Sequence, residues 1–255
     1  MPTPGSESAY RADLANARKR GLVPVAADLR LGHRLRPMEL SGGVVAESPR
    51  YAIPGARWFQ DRVLRRRHLV RPTESIDLAK MGVMAGAMYG LMGIAVPQQE
   101  VVTVDGIHGV AALEMDGLRD YPREGTNDIM DGFVADVFLG NDEISIENVF
   151  LAGAGAGVVR MHTGNGPPLN ERMESRDLAA LLEDNPEPAR LFAGRVTDDV
   201  LLDGIRRLDR LGSDADIRKL VREFGLPARK EAALIAALLG RRRWLRDAAR
   251  SHRRE

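Results

Sequence analysis

The stretch "MGVMAGAMYGLMGIAV", Met81 to Val96, runs for sixteen residues without a charge and is closed by Pro97. It falls short of the roughly 20 apolar residues that a membrane-spanning helix needs. Rich in Ala, Gly and Met, it reads as a helix buried inside protein. Met81, Met84, Met88 and Met92 recur at spacings of three and four and so share one face. Gly82, Gly86 and Gly90 recur every four residues along another, where a neighbour can approach closely. A methionine stripe usually fills a core and sometimes forms an adaptable binding surface. Ser75 is placed to cap the helix, and Asp77 in the first turn suits the positive end of its dipole.

Before this helix the chain reads as short strands. "LSGGVVAESPRYAIPGARWFQ" (Leu40 to Gln60) is interrupted by Gly42-Gly43, Pro49 and Pro54-Gly55, and His68-Leu69-Val70-Arg71 follows as a strand. Residues 1–40 are charged, with a helix expected from Ser8 to Lys19. After Pro97, two strands flank Asp105-Gly106, Leu118 opens a loop, and a helix is expected from Asn127 to Leu139. Beyond Pro167-Pro168 the pattern becomes a string of amphipathic helices, with starts marked by Thr197, Ser213 and Pro227. The order is α+β: a mixed part, then a helical remainder.

A length of 255 residues suits one large domain or two lobes sharing a cleft. A net charge of +1 makes the chain as a whole no match for nucleic acid or an acidic membrane. The absence of cysteine excludes disulfides, thiol catalysis and Cys-based zinc sites. The N-terminal stretch lacks the apolar core of a signal peptide, so a cytoplasmic protein with no membrane role is expected.

Residues 141–166, "NDEISIENVFLAGAGAGVVRMHTGNG", combine a polar loop, an apolar strand, a Gly-rich turn and a second strand leading to His162. With "HLVRPTESIDLAKMGVMAGAMYGLMGIAVPQ", "DIMDGFVADVFLGND" and the helical tail from Ala189 to Leu245, the order resembles the protein-kinase-like superfamily, nearest its HipA-type and phosphatidylinositol-kinase-like bacterial branch. The resemblance covers about residues 66 to 245. It implies a two-lobed kinase-like fold with a small β-rich N-lobe and a larger, mainly helical C-lobe. The corresponding divisions are a charged helical extension at 1–40, an N-lobe at 41–115 and a C-lobe at 116–255 that contains the hairpin 141–166.

Phosphoryl transfer in this superfamily needs a strand lysine fixed by a helix glutamate, a loop Asp as base, and an Asn and a second Asp on the metals. By resemblance, Arg71 stands in the lysine's place as a phosphate-binding cation, although its planar fork does not replace a compact ammonium. It reads equally as a surface cation on an edge strand. Where the glutamate is expected the sequence has Lys80-Met81-Gly82. Asp142 matches the catalytic base, or else simply caps a loop as its polar neighbours do. Asn148, with Glu147 beside it, matches the first metal ligand, and His162 occupies the place of the metal-binding Asp. Imidazole suits Zn, Ni or Cu better than Mg²⁺, which prefers oxygen ligands. Neither Gly42-Gly43 nor "GAGAG" (Gly153 to Gly157) leads into the helix start that a phosphate loop requires.

Three of the charged positions are replaced, and losing one preorganised charge typically costs on the order of 10²–10³ in rate. The expectation is a pseudokinase that binds a protein or peptide partner and needs no cofactor. One alternative is a divergent phosphotransferase using ATP with Mg or Mn and acting on a protein, peptide, lipid or small-molecule hydroxyl. Another is a nucleic-acid or acidic-partner binder using "RRRWLRDAARSHRRE", with Trp244 available for stacking. That run reads also as a solvated helix end.

Overall fold

A computed structural model of the chain describes residues 38–39, 57–60, 67–104, 106–115, 118–120, 127–141, 144, 149–151, 158–160, 192 and 194–251. Among the described residues five strands form one sheet in the order β1 (Met38–Glu39), β4 (Gln99–Val104), β5 (Ile107–Leu113), β3 (Arg67–Pro72), β2 (Arg57–Gln60). All pairs are antiparallel except β1 with β4. The hairpin of β4 and β5 turns at Gly106, whose φ of 80° favours glycine. Alternation along the strands gives the sheet two apolar sides. Val101 and Val110 join the main core, while Val70, Val102 and Ala111 form a small cluster of their own.

Helix α1 (Ile76–Leu91) packs on β4 and β5. Ser75 is its N-cap, accepting a hydrogen bond from the Leu78 amide at 3.3 Å. Met81, Met84, Met88 and Met92 are all buried, so the stripe is core and not an exposed contact surface. Glycines on the sheet side make the fit possible. A Cβ at Gly82 would lie 3.2 Å from Val110, and one at Gly86 would lie 2.6 Å from the Gln99 side-chain oxygen.

The segment expected as one helix from Asn127 is a 3₁₀ turn, Asn127–Gly132, followed by α2, Phe133–Leu139. Gly132 stands at the junction, where its poor helix preference permits the change of winding. Helices α3 (Asp198–Leu208), α4 (Asp214–Glu223) and α5 (Ala228–Ser251) follow among the described residues, with a 3₁₀ turn at Asp209–Leu211 between the first two. Helix α2 packs on both α3 and α5, and α4 packs on α5. At Gly204 of α3 a Cβ would collide with the Val134 side chain of α2. One apolar core runs from α1 through α2 into α3, α4 and α5. Phe133 and Phe192 meet edge to face within it, their ring centroids 4.9 Å apart.

A second sheet has the order β6 (Arg119–Asp120), β7 (Val149–Leu151), β8 (Val158–Arg160), all antiparallel. The two strands of the Gly-rich segment therefore pair as the sequence suggests. Strands β6 and β1, of two residues each, carry no sequence signal for joining this sheet and β4. An isolated parallel bridge from Ala95 to Val159 ties this sheet to the exit of α1. The expected helix from Ser8 to Lys19, Gly42-Gly43 and the tip Gly153 to Gly157 lie outside the described residues. No helix among the described residues is long and apolar enough to cross a membrane.

The start of α4 is a capping box. Asp216 accepts from both the amide and the hydroxyl of Ser213 at 2.7 Å, and the Asp216 amide donates to the Ser213 hydroxyl at 3.3 Å. These bonds, led by the one from the hydroxyl, hold the Asp216 carboxyl below its usual 3.8. The lowered native value stabilises the fold above the ordinary aspartate pKa, and this contribution is lost as pH falls through the native one. Removing the N-cap hydroxyl in Ser213→Ala is expected to cost about 0.5–2 kcal/mol in chemical denaturation at neutral pH. The stability gap between wild type and Asp216→Asn should close on acidification below 3.8; a gap that stays constant would contradict the assignment.

Candidate nucleotide-phosphate site and its supporting network

Strand β3 lies between β2 and β5, so Arg71 is on an interior strand and not an edge. Arg71 pairs in register with Val110, and it is 7% exposed. The expectation of a surface cation is thus corrected: alternation along β3 turns Arg71 inward, and α1 covers it. Its Nη2 lies 3.7 Å from where a Cβ of Gly82 would stand. The backbone beneath is equally close, since a Cβ at Gly109 would come 2.5 Å from the Arg71 carbonyl oxygen. A guanidinium keeps its charge at any ordinary pH, and burying it is expensive unless polar groups surround it. The cation at this position is therefore a deliberate part of the interior.

Helix α1 presents no acid at this point. Its sole carboxylate is Asp77 in the first turn, which accepts from Lys230 of α5 at 3.4 Å. Lys80, one turn on, donates to the carbonyl oxygen of Gly225 at 2.9 Å. At the far end Arg210 donates to the Met92 carbonyl at 3.2 Å. The polar groups at both ends of α1 thus reach the helical part, while its middle, beside Arg71, is glycine.

A buried polar network stands further along α1. Tyr89, 3% exposed, donates its hydroxyl proton to Asp136 Oδ1 at 2.6 Å, and Asp136 is itself 3% exposed. Asn141 Nδ2 donates to the Tyr89 hydroxyl at 2.9 Å and lies 3.5 Å from the same carboxylate oxygen. The Asn141 amide closes the set on the Asp136 carbonyl at 2.9 Å. Asn141 Oδ1 is buried without a hydrogen-bond partner among the described residues. Next to this, Gly140 ends α2 in the left-handed conformation, at φ 71°. A Cβ there would lie 2.7 Å from the guanidinium of Arg241. That arginine, 2% exposed, donates to the Phe138 carbonyl at 3.3 Å and supplies a cation at the negative end of α2.

Arg71 is the one site residue expected from the sequence that falls among the described residues. Asp142, Glu147, Asn148 and His162 lie outside them. Among the described residues no group of three or more His, Asp or Glu is close enough together to hold a metal ion. Sequence reasoning missed the network. Asn141 looked like an ordinary polar neighbour of Asp142, yet it is the residue that fastens the chain immediately before it. A signal was present: Asp136 is the single charge in "GFVADVFLG", and an acid inside an apolar run needs a buried partner.

No protein-family model matches the sequence, and no curated protein matches it. Among solved structures, the chain is similar to a Helicobacter pylori proinflammatory kinase, CtkA, at 14% identity and a TM-score of 0.57. The match covers 86% of this chain and 98% of that one. Similarity also extends to HipA, in a toxin–antitoxin complex with HipB and operator DNA from Shewanella oneidensis MR-1. There the identity is 12%, the TM-score 0.39, and the coverage 88% of this chain and 71% of that one. The match to CtkA makes the fold protein-kinase-like.

Tyr89→Phe removes one hydroxyl and leaves Asp136 and Asn141 short of a partner. It should lower the unfolding free energy by about 1–3 kcal/mol in urea denaturation. A loss below a few tenths of a kcal/mol would show that the network contributes nothing net.

Proposed function

We propose that this kinase-fold protein is a pseudokinase, a body that has kept the architecture and serves as a protein- or peptide-binding scaffold or accessory subunit. In this reading the sheet with α1 is the small lobe and the helices are the large one, with divisions at 41–115 and 116–255. The observation that carries the reading is the pairing of Arg71 with Gly82. The strand cation is an arginine, and the facing helix offers it a residue without a side chain. In a kinase the corresponding lysine and helix glutamate must both be in place. Here α1 has one acid, Asp77, and Lys230 occupies it. The residues present do not fit Mg-ATP in the usual way. An arginine binds anions, but its planar fork does not replace the compact ammonium of a lysine on the α- and β-phosphates. The replacement of the second metal Asp by His162 supports the same reading.

The buried set of Tyr89, Asp136 and Asn141 favours a second reading. Anchoring the backbone up to Asn141 is what an enzyme would need to place a base at Asp142. In that case Asp142 accepts the hydroxyl proton, Arg71 binds phosphate, and Asn148, Glu147 or His162 hold Mg or Mn. A thermal-shift titration with ATP, with and without Mg²⁺ or Mn²⁺, separates the two. The scaffold reading expects no metal-dependent rise in Tm, and identical behaviour from Asp142→Ala. A metal-dependent rise that disappears in Asp142→Ala would transfer the assignment to the enzyme. A metal-independent rise lost in Arg71→Ala would mark a retained anion site.

A further inference from the structure

Helix α5 carries small and aliphatic residues at Ala232, Ile235, Ala236 and Leu239, the i, i+3, i+4, i+7 spacing of a helix-packing face. Helix α4 packs along that face. Between the two helices lies an open groove of about 400 Å³. Ile235 and Leu239 form its buried floor, and the exposed Ala232 and Ala236 let another backbone come close.

The rim of the groove is unevenly charged. Its two acids are already engaged: Asp214 accepts from the buried Arg242 at 3.2 Å, and Glu231 pairs with Arg222 at 3.5 Å. Arg218 and Arg243 also line the groove, both are exposed, and neither makes an ion pair among the described residues. The geometry points to this groove as a docking site for an acidic amphipathic helix of a partner protein. The partner's aliphatic side chains would lie over Ile235 and Leu239, and its carboxylates would meet Arg218 and Arg243.

Charge complementarity favours such a helix over nucleic acid. A phosphate backbone carries a charge at every nucleotide and would bring some of them against Asp214 and Glu231. A helix with carboxylates one turn apart can place them at the two arginines and leave gaps at the acids. The proposal rests on the scaffold reading, for which it names the partner's chemistry, but it uses residues remote in sequence from Arg71.

The test is fluorescence anisotropy on the full chain with three labelled probes. One is a short synthetic helical peptide with leucines at i, i+3, i+4 and i+7 flanked by glutamates. The second is the same peptide with every Glu changed to Gln, and the third is a single-stranded oligodeoxynucleotide of equal length. Saturable binding of the acidic peptide is expected, weakened by raised salt. The double change Arg218→Glu and Arg243→Glu should weaken it by about tenfold or more. Because both side chains are exposed, the variant's Tm serves as the check that it folds, and Ala236→Gln denies the partner backbone its close approach in a separate way, without adding charge. Failure of the acidic peptide to bind, equal binding of the Gln peptide, or indifference to all these substitutions would each overturn the proposal. Tighter binding of the oligonucleotide through the same arginines would reassign the groove to polyanions and overturn it too. The outcome is separable from the scaffold reading: phosphotransfer activity would end that reading while the peptide result stood, and Arg71→Ala should leave peptide binding unchanged.

Discussion

Helix α1 is enclosed on every side, and the rest of the architecture follows from having to enclose it. Eleven of its residues are buried, including all three of its glycines. Burying each large apolar side chain contributes about 1.5–3 kcal/mol, so the helix needs partners around its whole circumference. The sheet meets its glycine side closely enough that Val110 and Gln99 fill the space a Cβ would take. Its methionines join the same core as α2, α3, α4 and α5. Contacts from Lys230, Gly225 and Arg210 fix its two ends to the helical part. Moving α1 alone would break these contacts and uncover the main core. The sheet and the helices are therefore joined through a shared element as well as through chain connectivity. Gly82 belongs to the same design, because the missing side chain is what allows Val110 so near.

The arginines of α5 divide between the interior and the surface. Arg241 sits under Gly140 and caps α2, and Arg242 donates to Asp214, Asp209 and the Gly212 carbonyl. Arg246 also reaches Asp209, and Arg250 pairs with Asp247. A run that looks like a nucleic-acid patch in one dimension is divided in three. Its buried members hold the ends of other helices, and the half-buried Trp244 packs against the core. Arg243 is the exposed member that faces the groove beside α4.

Much of this was legible in the sequence where a local rule decides the outcome. Ser75, Thr197 and Ser213 cap helices as their positions imply. The β4–β5 hairpin turns at Gly106, and the strands on either side of the Gly-rich segment pair. The strands β1 and β6 have two residues each and carry no periodicity to read. The inward direction of Arg71 was not legible either, because a single cation between Val70 and Pro72 fits an edge strand or an interior one equally well. Which applies depends on β2 arriving from elsewhere in the chain. The network of Tyr89, Asp136 and Asn141 joins residues up to 52 positions apart, a distance at which spacing rules say nothing. Only the isolation of Asp136 among apolar neighbours hinted at it.

The central claim of the proposed scaffold reading is chemical: a buried arginine facing a glycine does not replace a lysine held by a glutamate in phosphoryl transfer. The most direct measurement is transfer of the labelled γ-phosphate of ATP, in Mg²⁺ and separately in Mn²⁺, to the chain itself and to a generic protein substrate. Asp142→Ala serves as the background control. The account predicts incorporation by the wild-type chain no greater than by Asp142→Ala in either metal. Stoichiometric labelling that is present in the wild type and absent in Asp142→Ala would contradict it.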